Sequence, residues 1–179
     1  GSNNRTTLFT YNGLGQIRTL TAVMPTDATP LMPNQTTEYE YVLDPLPWPP
    51  SNDLLRKERY PNKDTGAASE LATDQVSYTY NTLGEVLTKK DQNGSIHTYT
   101  RDVEARVTRD GVTVVVGSGV DGAIKRKQTE YDALGRAWKL TSYDSATAGS
   151  VKNQVQREYN GFGQLKTEWQ AVGGAVNTV

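Results

Sequence analysis

The chain has 179 residues, of which 35% are hydrophobic, and a mean hydropathy of -0.64, which fits one domain of ordinary size with a lean core. A net charge of -1 with both signs interspersed gives no electrostatic reason to expect nucleic acid as a partner, and no apolar run reaches the ~18 residues a membrane helix needs. The absence of cysteine excludes disulfides, thiolate nucleophiles and Cys-held metals, and the single His97 excludes a two-His metal site within the chain.

Ten Tyr and three Trp against two Phe suit half-wet sheet faces, so the composition predicts a Tyr- and Thr-rich all-β fold. Gly1-Ser2 reads as a cloning remnant and residues 3–179 as one domain. The first element is the strand "LFTY" at 8–11, whose aromatic residues two apart share a face. It runs into "YNGLGQ" at 11–16. There Asn12 opens a type I turn and Gly15 takes the positive φ that follows it, the signature of a hairpin tip with a bulge. Leu14, just before the glycine, is expected to fold back as an apolar plug.

"EYEY" at 38–41 starts the next unit, but its tip is replaced by an insertion over 43–75. Prolines at 45, 47, 49, 50 and 61 argue against a central strand there, and "GAASELATD" predicts a short helix of about two turns. Insertions on repeat folds are surface loops that carry specific contacts, so Trp48 in "PLPWPP" is the candidate ligand-binding residue, as against a cover for a sheet face.

The next strand, "SYTY" at 77–80, leads into "YNTLGE" with Asn81 and Gly84 at the turn. "DQNG" at 91–94 turns the chain back at the opposite end. "HTYTRDVEARVT" at 97–108 aligns with "SYTYNTLGEVLT" at 77–88, so Asp102 stands at the turn, Ala105 replaces the glycine and His97 falls where Tyr78 does. That position marks His97 as a sheet-face residue. "RDG" at 109–111 and "VDG" at 120–122 predict further opposite turns, with "VTVVV" as a strand before the flexible "GSG" at 117–119.

"YDALGR" at 131–136 places Tyr131 at a strand end, Asp132 and Gly135 in the turn and Leu134 as plug. "YNGFGQ" at 159–164 repeats this with Tyr159, Asn160, Phe162 and Gly163. Beyond it, Leu165, Thr167 and Trp169 alternate with polar residues in a period-two strand, and the chain ends where another Tyr-rich unit falls due. Units thus start near Tyr11, Tyr41, Tyr80, Arg101, Tyr131 and Tyr159, at roughly the 20–40-residue spacing of stacked supersecondary repeats. The sixth motif position varies among Gln16, Glu85, Arg106, Arg136 and Gln164, which predicts pairing with an adjacent hairpin rather than recognition of one charged ligand. Phe9/Tyr11, Tyr39/Tyr41, Tyr78/Tyr80 and Tyr99 are expected to form cross-strand packing rows.

These residues resemble the YD repeats of Rhs proteins, bacterial Tc-toxin subunits, wall-associated proteins and animal teneurins. The pattern carried is Tyr-Asp/Asn-x-x-Gly-Arg/Gln/Glu-aliphatic, with four good copies and two degenerate ones across most of residues 5–174. The resemblance implies stacked antiparallel hairpins forming a curved or spiralling sheet, a segment of a shell that encloses a C-terminal cargo such as a toxin in a secreted or cell-surface protein. It implies no enzyme activity in this stretch, no cofactor, and as partners the remaining repeats and the cargo. Autoproteolysis is not carried over, because Asp44-Pro45 lacks the glycine of the family's cleavage element. The alternative is a binding module for carbohydrate or a cell-surface protein, using exposed Tyr and Trp or the 43–75 loop. Two open sheet edges also predict self-association.

Overall fold

The structure is a computed structural model, and it describes residues 5–26, 31–41, 53–115 and 117–178. It is all-β. Twelve antiparallel strands follow one another in the sheet in chain order: β1 Thr7–Tyr11, β2 Ile17–Ala22, β3 Gln35–Tyr41, β4 Leu55–Arg59, β5 Gln75–Tyr80, β6 Val86–Lys90, β7 Ile96–Arg101, β8 Val107–Thr113, β9 Arg126–Tyr131, β10 Ala137–Tyr143, β11 Val151–Tyr159 and β12 Leu165–Val172. Neighbours in sequence pair because each tip is a tight turn and each ascending strand follows a descending one. The chain divides into two compact units, Gly1–Gly94 and Ser95–Val179.

In each unit the hairpins are built alike. A bulge lies beside each tip, the register shifting between Thr10 and Tyr11, Glu40 and Tyr41, Thr79 and Tyr80, Thr100 and Arg101, Ala137 and Lys139, and Glu158 and Tyr159. The bulge absorbs the extra residue that the turn's left-handed glycine introduces. Tyr41 pairs with Leu55 as Tyr11 pairs with Ile17, so β3 and β4 form a hairpin of the same kind with a longer connection at its tip.

The stretch 43–75 is therefore not loop throughout. β4 lies inside it, flanked by the prolines rather than broken by them, and the expected two-turn helix is a single 3-10 turn at Ala72–Asp74. The predicted turn "RDG" lies within β8, where Arg109, Asp110 and Gly111 pair with Gln128, Lys127 and Arg126 of β9. Gly111 suits a strand there because the 144–149 connection crosses close above it: a Cβ would sit 3.2 Å from the Ala146 carbonyl oxygen. "VDG" does fall in the β8–β9 connection. "VTVVV" contributes only Val112 and Thr113 to the strand.

A single-layer strip leaves little dry interior. Among the described residues Val76 is the only buried hydrophobic residue, while Ser69, Ser95, Arg126, Thr141 and Gln154 are buried polar ones. The connections opposite the tips supply the cover. Arg109 and Arg126 donate to the carbonyls of Ala146 and Thr147 in the β10–β11 connection, and the Arg126 guanidinium lies 3.6 Å from the Tyr143 ring centre. Gln154 donates to Thr141 Oγ1 at 3.0 Å and accepts the Val176 N–H at 3.0 Å, so the residues after β12 fold back over β11.

In the first unit, Glu58 of β4 accepts hydroxyl bonds from Tyr60 at 2.9 Å and Tyr78 at 3.0 Å; burial and this carboxylate push both phenols up. Arg59 bonds Glu38 at 3.2 Å, Glu40 at 2.6 Å and Glu70 at 3.1 Å. Ionic and hydroxyl contacts thus stand where an ordinary domain has aliphatic packing.

Candidate functional site at the hairpin tips

The sequence singled out the tips, and they are where a repeated geometry occurs. In each of five tips the first residue's side chain organises the whole turn. Asn12 Oδ1 accepts the N–H groups of Leu14 and Gln16, both at 3.0 Å, while the Gly15 N–H donates to the Asn12 carbonyl. Asn81, Asp102, Asp132 and Asn160 do the same, with acceptor distances of 2.9–3.1 Å. Gly15, Gly84, Gly135 and Gly163 have φ between 78 and 81°. Ala105 takes φ 64° in the tip that lacks the glycine, a region costly for an L side chain.

The variable sixth residue is read first within its own tip. Arg106 pairs with Asp102 and Arg136 with Asp132, each by Nη2 at 2.7 Å. Where the turn opens with Asn, its amide donates to Gln16, Glu85 or Gln164 at 2.6, 2.6 and 2.9 Å. The change of sign along the repeats is thus matched inside each turn, Asp with Arg and Asn with Gln or Glu, which corrects the expectation that adjacent hairpins balance it. The Arg hydrogen bond holds the Asp102 and Asp132 carboxyls below the usual carboxylate range.

The same arginines do reach the next hairpin, through an aromatic face. Arg106 lies 4.3 Å from the Tyr131 ring centre and Arg136 4.4 Å from that of Tyr159. Each tyrosine hydroxyl then donates to the carbonyl just after the previous tip: Tyr131 to Val107 at 3.4 Å, Tyr159 to Ala137 at 2.8 Å. In the first unit Tyr80 donates to Leu55 at 2.6 Å. Gly135 leaves room for this ladder, since a Cβ there would sit 2.8 Å from Arg106 Nη1. At the expanded tip Leu54 takes the arginine's place, 3.8 Å from the corresponding point above Gly84.

Two expectations about apolar groups fail. Leu14, Leu83, Leu134 and Phe162 do not plug the tips: they are 63, 81, 76 and 93% exposed. A tight turn aims its third side chain off the end of the sheet, and one layer offers nothing to receive it. Nor do the tyrosines stack on one another in the expected rows: Tyr78 bonds Glu58 and Tyr80 the Leu55 carbonyl, while Tyr131 and Tyr159 lie across guanidinium groups. His97 and Tyr99, centroids 6.1 Å apart, are the only ring stack among the described residues. His97 Nδ1 lies 2.9 Å from Asp110 across the β7–β8 pair, a contact with no signal in the sequence because it depends on the register of the two strands. Trp48 lies outside the described residues. Among those described, no three His, Asp or Glu side chains gather to hold a metal ion, and no helix is long and apolar enough to cross a membrane.

No family model and no curated protein matches the chain. Solved structures do, at low identity and low score. They include crystal structures of TcdB2-TccC3-TEV (11% identity, TM-score 0.31, 96% of this chain and 10% of that one) and of TcdB2-TccC3 without its hypervariable C-terminal region (10%, 0.32, 93% and 10%). The Photorhabdus luminescens Tc holotoxin pore also matches (9%, 0.28, 94% and 10%). The chain therefore spans about a tenth of the length of each protein it resembles.

Proposed function

We propose that this chain is a non-catalytic wall segment of a larger YD-repeat protein of the Rhs and Tc-toxin type, secreted or at the cell surface, whose sheet forms part of a shell around a C-terminal cargo. The observation that carries the reading is the tip ladder, in which the Tyr, Asp/Asn, Gly and Arg of the repeat are all consumed in turning one hairpin and fastening it to the next. Residues spent on one another in this way are not held ready for a substrate. Such a ladder extends by adding hairpins, as a wall must, and needs no cofactor. The partners on this reading are the flanking repeats and the enclosed cargo.

Electron microscopy of the protein expressed with its flanking coding sequence tests this. A hollow β-shell with this stretch in its wall is expected, together with protease resistance of whatever follows the repeats. Separate compact domains joined by linkers would overturn it.

A further inference from the structure

The chain holds three Asn-Gly pairs, Asn12-Gly13, Asn93-Gly94 and Asn160-Gly161. Asparagine is a chemically labile side chain, and a following glycine, with no Cβ and the widest choice of φ and ψ, leaves the next backbone nitrogen free to approach the side-chain amide. Sequence alone ranks the three pairs equally. The structure separates them.

At the two tip pairs the attacking group is unengaged. The Gly13 and Gly161 N–H groups have no hydrogen-bond partner among the described residues, while the three N–H groups that follow each of them all bond to Asn12 or Asn160. Both glycines are exposed, and a Cβ at either would meet nothing within 4 Å. The group under attack is prepared as well. Oδ1 of Asn12 and of Asn160 each accepts two N–H bonds at 3.0 Å, the arrangement that stabilises negative charge growing on a carbonyl oxygen. Nδ2 donates to Gln16 Oε1 at 2.6 Å in one tip and to Gln164 Oε1 at 2.9 Å in the other, which fixes the side chain over its own turn. At Asn93 the following N–H is engaged, since Gly94 donates to the Asp91 carbonyl at 3.0 Å. Asn81 has the tip bonds but is followed by Thr82, whose branched side chain crowds the approach.

We infer that Asn12 and Asn160 are self-modification sites, converted to aspartate and isoaspartate in the folded chain, and that the turn spares Asn93. A solvent base takes the glycine amide proton and the nitrogen bonds to the asparagine Cγ, with the carbonyl electron pair moving onto Oδ1 between its two donors. Collapse breaks the Cγ–Nδ2 bond, and Nδ2 leaves with a solvent proton as ammonia. Water then opens the cyclic imide at either carbonyl. One opening gives the aspartate already used at Asp102 and Asp132, here opposite Gln instead of Arg; the other inserts a carbon into the main chain of the turn and withdraws the acceptor that holds it. Each event adds a negative charge to a chain of net charge -1. The inference rests on tip geometry and stands independently of the wall reading.

Peptide mapping by mass spectrometry, with enzymatic methylation to detect isoaspartate, tests this on the full chain during incubation in near-neutral buffer. Asn12 and Asn160 are expected to convert several-fold faster than Asn93 in the folded chain. In denaturing urea Asn93 is expected to reach the rate of the other two, which gain nothing from unfolding. Gly161→Ala, with its circular dichroism unchanged, is expected to slow conversion at Asn160 several-fold and leave Asn12 as it was. Failure of either tip site to outrun Asn93 in the folded chain, faster conversion of Asn12 or Asn160 on unfolding, or an unchanged rate at Asn160 in the Gly161→Ala chain would each overturn the inference.

Discussion

At the scale of single residues, the tips separate two reasons for glycine. Gly135 is held both by its φ of 78° and by the Arg106 guanidinium that occupies the space of a Cβ, whereas Gly161 has neither constraint. Gly135→Ala is therefore expected to destabilise by about 1–3 kcal/mol and Gly161→Ala to be near neutral, measured by chemical denaturation. The converse holds where the repeat lacks its glycine. Ala105 sits at φ 64°, so Ala105→Gly should stabilise by about 1 kcal/mol despite adding unfolded-state entropy. A loss of stability would mean that the tip has another source of strain. The tip's local chemistry was legible because every bond of the turn lies within five residues of sequence. The fate of Leu134 and Phe162 was not, because whether an apolar side chain has anything to pack against depends on a second layer.

At the scale of the hairpin, the Asp–Arg match makes a specific claim about pH. The folded-state carboxyls of Asp102 and Asp132 lie below their ordinary values, so their contribution is complete above the ordinary value and is lost as pH falls through the folded one. The thermal midpoint should accordingly drop as pH is lowered below about 4. Asp132→Asn should flatten that dependence, and Asp132→Asn with Arg136→Gln should recover most of the lost midpoint by recreating the Asn160–Gln164 pairing. A double variant no better than the single one would show that Arg136 matters through Tyr159 alone. That second contact is itself testable: Tyr159→Phe removes the bond to the Ala137 carbonyl while keeping the ring under Arg136, and should cost about 0.5–1.5 kcal/mol. Reading Arg136 from sequence suggested a brace to a neighbour. Only the register between hairpins identifies what it braces, because Arg136 and Tyr159 are brought together across β10 and β11 rather than by any local spacing.

At the scale of the molecule, the chain does without an ordinary core. With Val76 as the one buried hydrophobic residue described, cohesion comes from backbone pairing, guanidinium–aromatic contacts and connections folded over the sheet. Because little apolar area is buried, the denaturant dependence of unfolding should be shallower than is usual for a chain of this length. Because each hairpin touches mainly its neighbours, hydrogen-exchange protection should fall off toward β1 and β12 rather than collapse at one transition. A single steep transition with uniform protection would contradict this.

The sequence by itself determined where the chain turns at the tips, which residues build those turns and that the fold is a succession of hairpins, since turn chemistry and two-residue alternation act over a few bonds. It misplaced what pairing overrides. β4 forms beside prolines and Asp110–Gly111 run straight through a strand because neighbouring strands supply their hydrogen bonds, and the inserted stretch contributes a strand to a hairpin of the same kind with a longer connection at its tip. Tertiary structure alone decided the repeated register and the Arg–Tyr ladder, because those contacts join residues some two dozen positions apart whose meeting depends on how whole strands align.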